Sequence, residues 1–181
     1  METKELDILE SELAGEMLLP SHPGFDEARL VYNGSIDKRP ALIVRVQGTA
    51  DIQAAVRFAQ RVELPIAVRG GGHSVAGHGT CDGGVLIDMS RLRAVSVDPV
   101  NRRARVQGGA ILADLDRECQ VYGLATTSGQ VSMTGVAGLT LNGGMGALQR
   151  KLGLTCDNLV SAELVTASGE VIRASDVENP E

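Results

Sequence analysis

Three consecutive glycines and a histidine, Gly70-Gly71-Gly72-His73, constrain this chain more than any other feature. They follow a short apolar run, Leu64-Pro65-Ile66-Ala67-Val68. Without Cβ atoms, a glycine run lets the backbone come close to a ligand and present successive N–H groups to an anion. A histidine at the exit then stands beside whatever is cradled there, an arrangement that suits a diphosphate-bearing group with a reactive ring nearby. The plain alternative for His73 is a solvated loop histidine. A second glycine-dense stretch, Thr127 to Gly146, spaces Gly135, Gly138, Gly143, Gly144 and Gly146. It is too apolar for a linker, because Val136, Leu139 and Leu141 demand burial. Such a segment is expected where a planar ligand packs against main chain. Packing of helices through small residues is the competing explanation.

The hydrophobic pattern predicts alternating elements. Leu6, Ile8, Leu9, Leu13 and Leu18 space an amphipathic helix over 6–18. Residues 21–40, polar and broken by Pro23 and Gly24, are expected to form a loop or arm. Ala41 to Val46 is a buried-strand candidate. Thr49 is a candidate N-cap, with Asp51 in the first turn of a helix that presents Ile52, Ala55, Val56, Ala59 and Val62 on one side. Ile66 to Val68 is the next strand, which makes 41–68 a strand–helix–strand unit of crossover size. The glycine loop opens at the C-terminal end of that strand, where α/β sheets commonly bind ligands. No G-x-G-x-x-G opens the helix and no P-loop is present. Further strand candidates are 84–88, 94–97, 103–107, 159–166 and 171–173. A helix over 111–122 is expected to end at Gly123, and a turn over 167–170 joins the last two strands.

Composition excludes several functions. Aromatic residues are 2% of the 181, with no Trp, so a stacking surface for single-stranded nucleic acid is not expected. The net charge of −6 argues against a phosphate-backbone binder. A bound diphosphate remains compatible, since backbone amides can hold it without many Lys or Arg. The start of the chain is charged and no apolar h-region follows it. No apolar stretch reaches membrane-span length. Cys81, Cys119 and Cys156 are odd in number and lack metal-ligand spacing, so no metal site is expected and a cytoplasmic, reducing location is.

Arg69-Gly70-Gly71-Gly72-His73-Ser74 resembles the flavin-attachment loop of FAD-linked oxidases of the vanillyl-alcohol-oxidase superfamily, with its PCMH-type FAD-binding domain, in the berberine-bridge-enzyme-like branch. The stretch Ser132-Met133-Thr134-Gly135-Val136-Ala137-Gly138 through Gly143-Gly144-Met145-Gly146 resembles the second flavin-binding stretch of that family. So do Asp88-Met89-Ser90, Gly108-Gly109-Ala110 and 150–160, and the likeness covers about residues 35 to 178. It implies an α+β fold of two lobes: an N-terminal βαβ lobe and a larger, mainly antiparallel one. The corresponding segments are an N-terminal helix and arm over 1–35, a first lobe over 36–91 and an incomplete second lobe over 92–181.

The resemblance implies FAD as cofactor, attached through its 8α carbon to His73. The backbone of Gly70, Gly71, Gly72 and Ser74 would cradle the diphosphate, with Arg69 just before the loop and Gly77 and His78 continuing it. Arg69 has a surface salt bridge as its other reading. His78 is expected to be solvated or bonded to a carbonyl rather than chemically active. Ser132, Thr134, Gly135, Gly138 and Leu139 would line the isoalloxazine and ribityl chain, and Gly143, Gly144 and Gly146 would permit close packing beside the diphosphate. Members with a second flavin bond carry a cysteine four residues before the glycine of the Gly-Val pair. Val131 stands there and cannot form a thioether. Cys156 is expected in the core.

The implied reaction is hydride removal from a C–H of an alcohol, sugar or natural product, with O₂ as acceptor. The family's catalytic bases belong to parts this sequence does not contain, and Tyr32 and Tyr122 match no catalytic motif. A substrate domain is therefore expected to be missing. The residues leave two further readings open: a non-catalytic module that holds FAD or another nucleotide reversibly, and an inactive truncated product.

Overall fold

The computed structural model describes residues 3–180. In chain order the elements are α1 (Thr3–Glu12), β1 (Glu16–Leu18), α2 (Phe25–Ala28), β2 (Leu42–Arg45), α3 (Thr49–Arg61), β3 (Ile66–Arg69) and β4 (Val85–Asp88). They continue with β5 (Val95–Asp98), β6 (Arg103–Val106), α4 (Leu112–Gln120), α5 (Val136–Leu141), α6 (Gln149–Leu152), β7 (Ser161–Val165) and β8 (Val171–Ser175). Contacts divide the chain into two units. One holds the residues up to Arg69, then Ser74–Arg91 and the chain from Val160 onward. The other holds Gly70–His73 and Leu92–Leu159.

The first unit is built on a four-stranded sheet in the order β1-β2-β4-β3. β2 and β3 both run parallel to β4, which lies between them, so the crossover through α3 skips one strand position. Both faces of the middle strands are covered: Leu42, Ile43, Val44, Val85, Leu86 and Ile87 have no exposed surface. That burial explains the unbroken apolar runs, as parallel sheets require. The helix α3 buries Ala55, Phe58 and Ala59. It is also tied to the β7–β8 hairpin, since Gln53 Nε2 donates to Gly169 O at 2.6 Å and Gln60 Nε2 donates to Ala167 O.

Three expectations for this unit are corrected. The helix stops at Glu12, and Leu18 lies in β1, paired with Ile43 of β2. The reason is at Gly15, where a Cβ would stand 2.1 Å from Arg45 O: the chain must turn and lie against β2. The arm over 21–40 contains α2, and its Phe25 is buried in the core with Leu18, Ile43 and Leu86. Thr49 is the first helical residue, and Gly48 is the N-cap. Asp51, 2% exposed, accepts from Gln47 N at 2.7 Å and from Ala14 N at 2.9 Å, and so satisfies two backbone donors that would otherwise be orphaned.

The second unit contains the antiparallel pair β5–β6 and the helices α4, α5 and α6. Its core is Ala110, Leu112, Leu115, Cys119 and Val136, with Val95, Val97, Val106 and Leu139 packed against it. The helix expected over 111–122 spans Leu112–Gln120, and Gly123 follows with φ +64°. Arg93 donates twice to Asp114 at 2.8 Å, while Asp114 also accepts from Ile111 N and so fixes the start of α4. Two burial expectations fail here: Leu141 is 79% exposed, and Cys156 is only half-buried in a short 3₁₀ turn. No helix among the described residues is long and apolar enough to cross a membrane.

Candidate functional site

Within the second unit, Gly70–His73 lies directly on the second glycine stretch. A Cβ at Gly71 would stand 2.3 Å from Gly135 N, and a Cβ at Gly135 would stand 2.5 Å from Gly71 N. A Cβ at Gly70 would meet Gly108 O at 2.8 Å. Main chain therefore touches main chain at all three glycines, a distance only glycine permits. The stretch is pinned from the other side by α4 and its approach. Leu112 N donates to Thr134 O, Ala113 N to Ser132 O and Val136 N to Ala110 O, each at 2.9 Å.

Gly138 differs from these. It is exposed on α5, and a Cβ there would meet nothing within 4 Å. Around it, side chains that should be buried face outward: Val131 is 55% exposed, Met133 63% and Met145 73%. A cavity of about 490 Å³, lined by Val131, Thr134, Leu139, Met145 and Gly146 among others, opens in the same stretch. Its volume lies in the range of small-molecule sites.

Gly143 and Gly144 are held from behind. Thr155 N donates to Gly144 O at 2.9 Å, Thr155 Oγ1 donates to the same oxygen at 3.1 Å, and Cys156 N donates to Gly143 O. Gly144 has φ +79° and a Cβ there would fall 2.3 Å from Thr155 Oγ1, so both conformation and space demand glycine. Gly146 is tighter still, with Ser128 O 1.7 Å from a would-be Cβ. Thr127, fully buried, ties the stretch to the next turn by donating to Gly153 O at 2.7 Å. Thr127 and Thr155 escaped the sequence reading. Their one signal is a small hydroxyl residue close to each glycine group.

The imidazole of His73 is half-buried, with Nε2 inside the protein and Nδ1 2.7 Å from Gly71 O. A carbonyl can only accept, so Nδ1 carries the proton in this contact. The bond fixes both the tautomer and the ring orientation against its own loop.

In the first unit, Arg69 ends β3, and its side chain is 9% exposed. Its Nη2 donates to Asp88 Oδ2 at 2.8 Å and its Nη1 to Leu30 O at 2.9 Å. This is a salt bridge, but a buried one between two parallel strands rather than a surface pair. Arg45 Nε lies 3.4 Å from the same carboxylate, and Ser90 N donates to it. Burial pushes the Asp88 carboxyl up, but the Arg69 guanidinium and the hydrogen bonds from Ser90 together hold it below the usual carboxylate value.

The residues after the loop are clamped by the arm. Asn33 Nδ2 donates to Val75 O at 2.9 Å and Lys38 Nζ to Gly77 O at 3.2 Å, while Ile36 packs on Gly77. Ser74 Oγ accepts from His78 N at 3.1 Å, and His78 is exposed. Asp88, Asn33 and Lys38 were not expected in these roles, because their partners are 19 to 42 residues away in sequence.

These features fit a bound FAD. Glycine backbone with no room for side chains, a glycine that faces open space, a cavity of ligand size and an oriented imidazole meet in one unit. The chain belongs to the FAD binding domain family, whose match covers residues 40–175. Its structural neighbours are PCMH-type FAD-binding domains of the vanillyl-alcohol-oxidase superfamily, berberine-bridge-enzyme-like branch. A crystal structure of 6-hydroxy-D-nicotine oxidase from Arthrobacter nicotinovorans is 41% identical with a TM-score of 0.91, over 93% of this chain and 37% of that one. BBE-like 1 from Physcomitrella patens is 31% identical with a TM-score of 0.92, over 98% of this chain and 39% of that one. Xylooligosaccharide oxidase from Myceliophthora thermophila is 30% identical with a TM-score of 0.90, over 97% of this chain and 38% of that one. The chain spans about a third of the length of the curated relatives it matches.

Proposed function

We propose that this chain is the FAD-holding part of an oxidase that removes a hydride from a C–H of an alcohol, sugar or natural product, with O₂ as final acceptor. The observation that supports the reading is the contact of Gly71, two residues before His73, with Gly135 of the second glycine stretch. When bound, FAD supplies a two-electron acceptor and the protein supplies orientation. Gly70 to Gly72 offer backbone N–H groups to the diphosphate, with Ser74, Gly77 and His78 continuing the loop. Thr134, Gly138 and Leu139 border the space for the ring system, alongside Ser132. Gly143, Gly144 and Gly146, whose side-chain space is bordered by Leu154, Thr155 and Ser128, shape the backbone beside the diphosphate. Arg69, engaged with Asp88, serves the loop by holding the strand from which it leaves.

A ring nitrogen of His73 is the attachment atom in this reading. The bond to Gly71 O supports it, since covalent attachment requires a ring held in one orientation. With Val131 at the alternative position, attachment is through the histidine alone. Neither substrate contacts nor a catalytic base is assigned to residues of this chain. The three cysteines are unpaired, which fits a reducing, cytoplasmic location.

The test is the intact mass of the denatured protein, with a visible spectrum taken beforehand. A mass increase of one FAD that is lost in His73→Ala supports attachment at this residue. A yellow native protein of unmodified mass identifies a reversible FAD module instead. A colourless protein of unmodified mass after incubation with FAD sinks the proposal for this chain.

A further inference from the structure

The sequence contains two Asn-Gly pairs, Asn33-Gly34 and Asn142-Gly143, and the fold treats them differently. Asn-Gly is chemically fragile. The backbone nitrogen of the glycine can attack the asparagine Cγ, close a succinimide ring and expel ammonia. Water then opens the ring to aspartate or isoaspartate. Glycine favours this because it has no side chain to obstruct the attack and a wide conformational range.

At the second pair the reaction is restrained. Gly143 N donates to Thr140 O at 3.1 Å, so the nucleophile is engaged; the side-chain amide is engaged at both pairs, here by Asn142 Nδ2 donating to Gly138 O at 2.7 Å. The first pair lies in the arm. Gly34 and Ser35 are exposed, a Cβ at Gly34 would meet nothing within 4 Å, and Gly34 N donates to no acceptor among the described residues. Asn33 Oδ1 accepts from Ser35 N at 3.1 Å and from Ser35 Oγ at 2.8 Å. Two donors on the amide oxygen draw electron density from Cγ and stabilise the oxyanion that forms when Gly34 N attacks.

We infer that Asn33 is a spontaneous deamidation site whose conversion releases the segment following His73. Its Nδ2 is the donor that latches Val75 O. In the conversion the Cγ–Nδ2 bond breaks, Nδ2 leaves as ammonia, and a water oxygen completes the new carboxylate. No oxidant or enzyme is required. The product has no donor for Val75 O and turns a carboxylate toward it, so the latch becomes a repulsion. Lys38 on Gly77 O remains as a polar link from the arm to this segment.

The experiment ages the native protein at mildly alkaline pH and follows both Asn-Gly peptides by mass spectrometry, with isoaspartate distinguished by fragmentation. The Asn33 peptide converts faster than the Asn142 peptide by about fivefold or more, the factor one ordinary hydrogen bond is worth. Gly34→Ala suppresses that conversion and leaves Asn142 at its own rate. In denaturant the two rates converge. Equal rates in the native protein, or a faster Asn142, would overturn the site assignment. Hydrogen exchange tests the latch: Asn33→Asp raises exchange over 74–78, and unchanged exchange there would overturn the release.

Discussion

Gly71→Ala and Gly138→Ala have opposite expected effects on stability. An alanine Cβ at position 71 would stand 2.3 Å from Gly135 N and 2.6 Å from Gly135 Cα, where ordinary contact begins at 3.4 Å. The obstacle is backbone on both counts, so no side chain can rotate away. Gly135 in turn is flanked by the bonds from Leu112 N to Thr134 O and from Val136 N to Ala110 O. The two main chains must part by about 1 Å, or those bonds must stretch, at a cost of about 2–3 kcal/mol. At position 138 the Cβ enters open space within α5. Replacing a helical glycine there recovers about 0.5–1 kcal/mol. Urea denaturation of the FAD-free protein, with the slope checked for constancy, reads both effects. The midpoint falls for Gly71→Ala and rises for Gly138→Ala. FAD loading separates stability from function: Gly138→Ala takes up less FAD although it is more stable, because the added methyl occupies the open face. A Gly71→Ala cost below about 0.5 kcal/mol, or a less stable Gly138→Ala, would refute the division of these glycines into packing and ligand-facing positions.

Other perturbations test the supports of the loop. Asp88→Asn leaves the Arg69 guanidinium buried without its counter-charge and should cost about 3 kcal/mol, or roughly 6–12 °C in Tm. The double variant Arg69→Met, Asp88→Leu should recover much of that loss. Acid should destabilise the wild type in a defined window. Asp88 and Asp114 both titrate below the usual carboxylate value, Asp114 through its bond to Arg93. Their contribution is complete above the unfolded-state value of about 4 and is lost as pH falls through the lower folded values. Denaturation midpoints measured against pH should therefore decline below about pH 4, and Asp88→Asn should flatten that decline. Asp51→Ala orphans Gln47 N and Ala14 N and should cost about 2–4 kcal/mol by chemical denaturation. An unchanged midpoint would mean that water replaces the carboxylate.

Local chemistry was readable where its cause lay nearby in the chain. The run Ile66 to Arg69 and the glycines after it announce a strand that ends in an open loop, and β3 does so as the edge strand of its sheet, with Ile66 and Val68 exposed and Ala67 and Arg69 buried. Gly169 at the β7–β8 turn, with φ +78°, is legible for the same reason. Leu18 was not: its spacing continues a helical stripe, and only the approach of Gly15 to Arg45 O turns it into a strand. Phe25 was hidden in a polar segment because its packing partners, Ile43 and Leu86, are distant in sequence. Leu141 misled in the other direction: its apolar side chain, expected in the core, is exposed near the end of α5.

The sequence by itself determined the two glycine segments, the histidine after the first of them and the likeness to an FAD-binding domain, because absent side chains and a motif are properties of residues. Tertiary structure alone decided that Gly71 lies on Gly135, that Arg69 is spent on Asp88, and that Thr155 holds Gly144. Each of those is a contact between distant segments, and a contact depends on where the whole chain folds rather than on any one stretch of it.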